Sequence, residues 1–343
     1  MALPTFADLN TRFSLVLEHV FPGVKDNIFT AVPAFAWFRK SGSMRTLTGS
    51  RISEMLMYAG NATVDWIAQP GFGQVSVVPQ ETHGRAFYEW KILAGSVSIS
   101  HFEEDIASGP EAQANLLTEK IKNLELSLKR EAWRRVWATV GTEGQSTKTY
   151  YGTASATAQD TAIYPHSIPS IIREVYTGSN IVGTIDGIST GANSWWAGYA
   201  ADGTTWGTAA TCKSEFLTAL LDLEAKEARP TVAFAGTAVF GYIMGAAQAM
   251  QQITDWDVAH IGFQSVIFQG VPVIHDAEAP TDAVYLLNDQ YFNWNTLKGA
   301  DFRTTEFTKP GNQMARTAQV YWTGELTTSN RRTGGVIFNI TAS

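Results

Sequence analysis

The clearest pattern of hydrophobic and polar positions in the chain runs from Gly109 to Val140. Apolar residues recur there at spacings of three and four, which places them on one face of a helix. Ser108 and Pro110 favour a helix start, and Gly141 follows the predicted end. At 1.5 Å per residue the helix would be about 45 Å long, which exceeds most helices of globular proteins. The pattern therefore predicts a long helix over residues 109–140 that acts as a structural support.

A pattern with period two predicts a long β-hairpin between residues 46 and 100. In its second half, Ala86, Tyr88, Trp90 and Ile92 alternate with a more polar set of residues, as in a strand with one buried face. The segment 51–60 is also strand-like, and the middle contains Gly and Pro. We therefore predict two strands joined by a broad tip.

The predicted hairpin needs a surface that covers it. An isolated two-stranded ribbon is marginally stable in water, because its edges are open and its faces are small. That surface belongs either to a neighbouring subunit or to the body of the same chain. The large apolar side chains of the hairpin are Met55, Met57, Trp66, Phe72 and Trp90.

Residues 1–45 are predicted to form an N-terminal arm. One short helix fits residues 6–20, and the prolines at positions 22 and 33 favour an extended chain after it. Three aromatic residues, Phe35, Trp37 and Phe38, follow where a loosely attached segment would be polar. We expect them to be fixed to a surface of this chain or of a neighbour.

The second half of the chain changes pattern twice. Residues 141–164 are rich in Gly, Thr, Ser and Ala and indicate a polar connector. From 165 to 288, predicted helices alternate with short apolar strands, as in a layered α/β subdomain with a central sheet. Residues 289–343 are rich in strand patterns and are predicted to return to a sheet beside the long helix. The predicted helices of 165–288 lie near 168–176, 213–228 and 237–252, and its strands near 231–236, 264–269, 271–276 and 283–288.

Composition restricts the class of protein. A chain of 343 residues with 45% hydrophobic and 17% charged residues can bury two or three globular subdomains. Its formal net charge of -7 argues against a dedicated nucleic-acid binder, although a local basic patch is compatible with DNA contact. Cys212 is its only cysteine, which excludes an internal disulfide and favours a reducing compartment. The sequence shows no signal peptide and no membrane-length apolar run, so we expect a cytoplasmic protein without a membrane partner.

Motifs of enzyme chemistry are nearly absent. The chain has neither a G-x-S-x-G nor an H-E-x-x-H motif, and residues 178–183 have the glycine spacing of a phosphate loop without its lysine. Two clusters of carboxylates and histidine, 101–105 and 255–260, could each supply two metal ligands, but solvated turns explain them better. Cys212 beside Lys213 is interpreted as an inert thiol. We therefore predict no catalytic residue, no metal site, no cofactor and no enzyme.

A basic stripe lies on the second half of the predicted long helix. It would contact a phosphate backbone if this face of the helix lines a space that contains DNA. The alternative is that these cations favour the C-terminal end of the helix dipole and pair with the glutamates at positions 125 and 131. Both interpretations stay open at this point. The stripe consists of Lys129, Arg130, Arg134 and Arg135.

The order of these elements resembles that of the major capsid proteins of tailed bacteriophages, whose Hong Kong-type fold encapsulins also use. The most telling local similarity is FQGVPVIHD at 268–276, followed by AVYLLN at 283–288. There a Gly-x-Pro turn leads into an acidic residue and then into an aromatic and aliphatic strand that ends in Asn. The resemblance extends over nearly the whole chain and lies in its architecture.

The resemblance implies an α+β fold of four parts. These are the N-terminal arm (1–45), an extended loop formed by the long β-hairpin (46–100), a peripheral subdomain with the long helix as its spine (101–164 and 289–343) and an axial subdomain (165–288). It also implies a structural protein of the virion capsid, assembled in the host bacterial cytoplasm. Pentamers and hexamers of this chain would close into an icosahedral shell around double-stranded DNA bound without sequence specificity.

Particular residues take on roles under this resemblance. Neighbouring subunits would contact the extended loop at Met57, Trp66, Phe72 and Trp90, and the arm at Phe35, Trp37 and Phe38. The basic stripe would be the candidate DNA-facing surface. Some members of the family cross-link subunits through a lysine of the extended loop. Lys91 lies in this loop, but neither a partner asparagine nor a catalytic glutamate is identified, so we predict no cross-linking.

Further partners implied by the resemblance are a portal and separate scaffolding or decoration proteins. The arm begins almost at the first residue, so we expect any scaffold to be a separate protein or to be removed before this sequence begins. Two alternatives to a phage capsid remain. One is an encapsulin-like compartment around a cargo enzyme, and the other is a cytoplasmic α/β enzyme.

Overall fold

The computed structural model describes residues 33–66, 77–106, 110–137, 164–172, 175–177, 180–182, 184–185, 187–189, 192–203, 206, 209–225, 229–249, 265–311, 313–338 and 340. Within them helices and strands are mixed, as the predicted α+β class requires. Two larger sheets dominate, one of five strands and one of six. A long helix packs on the first sheet and reaches the second at its C-terminal end.

The five-stranded sheet collects strands from distant parts of the chain. Strand β16 (Ala315–Thr328) pairs antiparallel with β4 (Lys91–Ser100) on one side, and with β14 (Phe292–Leu297) and β15 (Arg303–Thr304) on the other. Strand β1 (Met44–Leu47) adds to β14 in parallel. Segments from both halves of the sequence therefore form one sheet.

The six-stranded sheet is buried on both faces along three adjacent strands of its interior, Val232–Ala235, Val284–Leu287 and Gly335–Phe338. Its strands, in spatial order, are β11 (Ser265–Phe268), β12 (Val271–His275), β10 (Val232–Ala235), β13 (Val284–Leu287), β17 (Gly335–Phe338) and β9 (Tyr199–Asp202). Helices α5 (Ala209–Ala225) and α6 (Thr237–Ala249) pack on one face, where they bury alternate residues such as Ala233 and Val273. Phe234 and Ile274 point to the opposite face. The predicted layered α/β arrangement of these segments is confirmed, with helix bounds that differ by a few residues.

The long helix, α3 (Pro110–Val136), is called the spine helix below. Its buried residues Ile121 and Leu128 face the five-stranded sheet, and Leu124 comes so close to β4 that a Cβ added to Gly95 would lie 2.5 Å from Leu124 Cδ1. Leu126, another apolar residue of this helix, is 63% exposed. The reason is that each residue turns the helix by about 100°, so a side chain two positions before Leu128 points away from the sheet.

The C-terminal end of the spine helix joins the two sheets. Trp137 is fully buried, and its Nε1 donates a hydrogen bond to Asp276 Oδ2 at 2.8 Å. Its ring also packs against Phe234 and Tyr285, with ring centroids 5.5 Å apart in both pairs. The helix thus serves as the predicted structural support between two layers.

The segment after Pro33 is a helix, α1 (Pro33–Ser41), where the sequence predicted an extended arm. Proline is tolerated in the first turn of a helix, because the amide hydrogen that it lacks has no acceptor there. Phe35 and Phe38 are 0% and 1% exposed within this chain, and Phe35 packs edge-on against Trp294 with ring centroids 4.6 Å apart. The predicted contact of these two side chains with a neighbour is therefore corrected to a contact in the chain's own core.

The predicted hairpin is present as an antiparallel ribbon of β2 (Ile52–Met57) and β3 (His83–Tyr88). Its alternating pattern does not continue to Ile92 as predicted, because β3 ends earlier and β4 belongs to the five-stranded sheet. Ile92 is 67% exposed and Lys91 is 5% exposed, so the alternation changes phase between the two strands. Strand β4 is thus part of the sheet and not of the hairpin.

Two predictions for the second half of the chain need correction. The helix predicted near 168–176 ends at Ile172 (α4, Ile168–Ile172), and β5 (Val175–Thr177) follows, paired with β6 (Asn180–Val182). The β-branched Val175 and Thr177 favour a strand over a helix. The last strand, β17, joins the six-stranded sheet instead of returning beside the spine helix, since it pairs with β13 and β9.

The remaining elements are short, and several predicted features fall outside the residues that the structure describes. Strands β7 (Thr184–Ile185) and β8 (Ile188–Ser189) form a small hairpin, and a 3-10 turn covers Arg331–Thr333. The predictions that lie outside the described residues are the helix 6–20, Phe72 of the hairpin, the connector 141–163 and the cluster 255–260.

Candidate assembly surfaces

The ribbon of β2 and β3 has one face that its own chain covers. Leu56 and Tyr88 are buried there against Trp196, which lies in a 3-10 turn over Ser194–Trp196. Tyr88 Oη also donates a hydrogen bond to the carbonyl of Thr328 in β16 at 3.0 Å. These contacts fix the base of the ribbon to the five-stranded sheet.

Polar and aromatic contacts add to this anchorage. Thr327 Oγ1 donates to Glu54 Oε1 at 3.0 Å, and Asn295 Nδ2 donates to Thr327 Oγ1 at 2.7 Å. Beyond the strand end, Tyr58 stacks on Trp195 with ring centroids 5.2 Å apart. The orientation of the ribbon is therefore set within one chain.

The opposite face of the ribbon is open, and it carries three large apolar side chains beside Ser53, His83 and Arg85. Met55, Met57 and Phe87 are all exposed, and Met57 reaches 76%. They share one face, because the register pairs Met55 with Arg85 and Phe87 with Ser53, while Tyr88 points the other way. Large apolar side chains seldom stay exposed on a two-stranded ribbon, because their contact with water is unfavourable. The open strand edges beside them can also pair with another chain. We call Met55, Met57 and Phe87 the open face.

Apolar side chains continue beyond the paired strands. Trp66 is 99% exposed, and Val64, Val77 and Val78 are exposed as well. A tryptophan side chain carries a large apolar surface that is usually buried in a core or at an interface. Exposed apolar side chains are therefore present at the end of the ribbon as well as on its open face.

Two of the predicted contact residues pack within the chain. Trp90 lies at the base of the ribbon, where its Nε1 donates to the carbonyl of Gly49 at 2.9 Å and its ring packs against the covered core. Trp37 is half-buried against the main core, with Lys40 Nζ 5.9 Å from its ring centroid. Of the residues proposed for contact with a neighbour, Met57 and Trp66 are the ones exposed in the described structure.

Sequence reasoning missed part of the open face. Phe87 stands between the buried Ala86 and Tyr88 in an alternating strand, so the same pattern that buries those two predicts an outward Phe87. Val64, Val77 and Val78 lie outside regular strands, where no period assigns them to a face.

The residues of the basic stripe on the spine helix differ in their contacts and in their exposure. Arg135 hydrogen-bonds through Nε to Glu131, four residues earlier, and its guanidinium carbon lies 3.8 Å from the ring centroid of Tyr164. The predicted pairing with Glu131 is confirmed for Arg135. Arg134 is half-buried and Arg130 is exposed, whereas the side chain of Lys129 lies outside the description. Arg130 is therefore the accessible candidate for contact with DNA.

The carboxylate and histidine cluster at 101–105 has a structural role. It lies on a short helix, α2 (His101–Ile106), where Glu103 Oε2 accepts hydrogen bonds from Lys120 Nζ at 2.7 Å and from the amide of Ser100 at 3.0 Å. The hydrogen bond from Lys120 holds the pKa of Glu103 below its ordinary value. Among the described residues, no group of three or more His, Cys, Asp or Glu side chains is placed to hold a metal ion.

Other candidate chemistry is also explained by the fold. Cys212 is buried in α5, and burial raises the pKa of its thiol to about 12, with a smaller contribution from Glu215. The thiolate is the reactive form, so burial of Cys212 disfavours its reactivity. Asn180–Val182, inside the glycine spacing that resembles a phosphate loop, is a strand of a hairpin and does not lead into a helix. Within the described ranges, no helix has both the length and the apolarity needed to cross a membrane.

Similarity to known proteins is found in structure and not in sequence. No protein-family model and no curated protein sequence matches the chain. The capsid asymmetric unit of cyanophage A-1(L) matches with a TM-score of 0.62 and 13% identity, over 88% of this chain and 90% of that chain. The SrpI encapsulin complex of Synechococcus elongatus PCC 7942 matches with a TM-score of 0.51 and 10% identity, over 88% and 87%. A structure from Microbacterium phage Oxtober96 gives 0.50 and 12%, over 87% and 90%.

These matches cover most of both chains, so they concern the whole architecture and not one motif. At such low identity the likeness establishes the fold. The chain has the Hong Kong-type fold that phage capsid proteins and encapsulins share.

Proposed function

We propose that this protein is the major capsid protein of a tailed bacteriophage. It assembles through pentamers and hexamers into an icosahedral shell that encloses double-stranded DNA. The observation that carries the proposal is the ribbon, whose base is fixed within one chain while its open face presents Met55, Met57 and Phe87 to solvent. A second copy that covers this face would remove apolar surface from water and protect the strand edges.

The parts of the chain take the roles expected for such a shell. The ribbon is the extended loop that reaches a neighbouring subunit, and the spine helix with the five-stranded sheet forms the peripheral subdomain. The six-stranded sheet with α5 and α6 forms the axial subdomain at the centre of each capsomer. Strand β4, which the sequence assigned to the loop, supports the spine helix in this arrangement.

The proposed partners of the shell are DNA and other proteins of the phage. Arg130 and the neighbouring cations of the spine helix contact the phosphate backbone without sequence specificity. A portal and separate scaffolding or decoration proteins act with the shell, which is built in the host bacterial cytoplasm and persists as the virion capsid. The protein is structural and has no catalytic role.

An encapsulin-like compartment around a cargo enzyme is the second candidate. The SrpI encapsulin complex shares the fold, with a TM-score of 0.51 against 0.62 for the cyanophage capsid. The two candidates differ in what the particle contains. Purified particles that hold DNA support the capsid, and particles that hold a second protein without nucleic acid support the compartment.

The proposal is tested by assembly of the full chain. We expect electron microscopy and sedimentation to show closed particles, whereas a stable monomer of 37.4 kDa at high concentration would contradict the proposal. The double variant Met55→Asp and Met57→Asp should yield folded subunits that no longer form particles, because two carboxylates would be buried at the contact. Leu221→Asp, at an exposed leucine of α5, serves as the control. Equal loss of particles in both variants would argue against the ribbon as the decisive contact.

A further inference from the structure

Two of the three side chains that form the open face of the ribbon are methionines. Met55 and Met57 stand two residues apart in β2, so they share one face of the strand, and both are exposed. Met44 and Met244 have a different environment, because both are half-buried. Met44 packs against the main core, and Met244 packs against the core beneath α5 and α6. The methionines of the open face are thus accessible to small solutes in a way that these two are not.

A methionine sulfur that water reaches is open to oxidation by peroxides. The sulfur takes one oxygen atom from hydrogen peroxide, the O–O bond breaks, and a sulfoxide and water are formed. The sulfur is oxidised by two electrons in this step, and the peroxide is reduced by two. The sulfoxide is polar, whereas the thioether is apolar. Oxidation therefore makes an apolar position polar without adding a charge.

The single cysteine of the chain does not compete well for the oxidant. Cys212 is 1% exposed, and burial raises the pKa of its thiol to about 12. Oxidation of cysteine depends on access and on the thiolate form, and both are disfavoured here. Among the described residues, the accessible sulfur atoms are those of Met55, Met57 and Met314.

We propose that Met55 and Met57 form an oxidation site, at which peroxides stop an unassembled subunit from entering a shell. The inference rests on the proposed function, since it needs a second copy that covers the open face. A flexible thioether packs well in an apolar contact of this kind. A sulfoxide in the same place is removed from water and needs a hydrogen-bond donor that an apolar contact does not supply, which is unfavourable. Once the face is covered, the contact also keeps peroxide away from both sulfur atoms.

Mass spectrometry of subunits below the concentration at which particles form tests the site itself. During mild treatment with hydrogen peroxide, Met55 and Met57 should gain oxygen while Met44 and Met244 stay reduced. The inference is overturned if Met55 and Met57 stay reduced while either half-buried methionine reacts. This measurement needs no particles, so its failure is distinct from that of the proposed function, which fails if the untreated full chain forms no particles.

Sedimentation of the peroxide-treated full chain tests the consequence for assembly. Treated subunits should need a concentration about tenfold or more higher to form particles, because a polar group is buried at each contact. The double variant Met55→Leu and Met57→Leu keeps the face apolar without a sulfur atom, so it should assemble equally well with and without peroxide. An equal loss of particles in this variant after peroxide would place the damage elsewhere and overturn the inference.

Met314→Leu is the matched control for this double variant. Met314 is 78% exposed, close to the 76% of Met57, but it directly precedes β16, whose opposite end holds the base of the ribbon through Thr328. Assembly of Met314→Leu should therefore stay as sensitive to peroxide as that of the original chain. If this variant alone becomes resistant, the decisive oxidation is at Met314 and the inference is overturned.

Two further measurements separate the sulfoxide from other damage and the open face from a covered one. Methionine sulfoxide reductases for both sulfoxide epimers should restore assembly of treated subunits. Particles that stay lost after Met55 and Met57 have been reduced again would assign the loss to other damage and overturn the inference. In assembled particles both methionines should oxidise more slowly than in free subunits. Equal rates would show that no neighbour covers the open face, which contradicts the proposed contact and the inference that rests on it.

Discussion

Two aromatic segments of this chain have opposite environments, although the family resemblance implied contacts with a neighbour for both. Phe35 is 0% exposed, and Trp66 is 99% exposed. Phe35 follows a proline that starts a helix, and that helix places the ring against Trp294 of the five-stranded sheet. Trp66 lies beyond the last paired residue of the ribbon, Met57, where the described structure offers no core. The comparison shows that aromatic content alone does not mark an assembly surface, because the decisive factor is whether the local element reaches a sheet of the same chain.

The largest expected loss of stability comes from a substitution at Phe35, the buried residue of this comparison. Phe35→Ala should lower the free energy of unfolding by about 3–5 kcal/mol, because it opens a cavity in a packed aromatic core. Urea unfolding of unassembled subunits measures the change. Phe87→Ala, on the open face, provides the matched control, with an expected loss of about 0.5 kcal/mol or less. If the two variants lose the same stability, the contrast between core and open face fails.

A smaller loss of stability is expected from a substitution at Tyr88, where the ribbon joins the five-stranded sheet. Tyr88→Phe removes the hydroxyl that donates to the carbonyl of Thr328 and should lower the unfolding free energy by about 1 kcal/mol. Hydrogen exchange should also accelerate at the ribbon amides, since this bond fixes the base. Tyr58→Phe keeps the ring that stacks on Trp195 and should change exchange less. Exchange that accelerates as much in Tyr58→Phe as in Tyr88→Phe would contradict a specific role of the Tyr88 hydroxyl in holding the base of the ribbon.

Much of the fold follows from local patterns in the sequence. The spine helix is predicted because Ile121 and Leu128 repeat at helical spacing, and its bounds shift by only one residue at Pro110 and four at Val136. The buried strands around Phe234 and Tyr285 are likewise predicted by short apolar runs bounded by turn residues. These elements are set by residues close to one another in sequence, so periodicity suffices to find them.

Other features depend on residues that are far apart in sequence. The change of phase between Tyr88 and Lys91 arises because β4 leaves the ribbon and pairs with β16, more than two hundred residues later. Leu93, Ala132 and Trp322 likewise line one apolar cavity, and they come together only after the sheet and the spine helix have packed. No periodicity along the chain predicts contacts between residues that are so far apart in sequence. The open face is an intermediate case, because Phe87 could be assigned to a face from its strand although nothing local shows what covers it.

The smallest expected effect on a single subunit concerns Trp66. Trp66→Ala should change the unfolding free energy by less than about 0.5 kcal/mol, because the side chain is 99% exposed and has almost no contact to lose with the described residues. The same variant should reduce the yield of assembled particles, measured by sedimentation, since the proposed function places this ring against a neighbour. Phe102→Ala is the matched control, because Phe102 is 71% exposed and lies outside the ribbon. Loss of particles in the Trp66 variant alone would assign assembly to the ribbon, whereas equal losses would mean that any exposed aromatic residue contributes. An effect of Trp66→Ala on subunit stability comparable to that of Phe35→Ala would remove the distinction between the two segments.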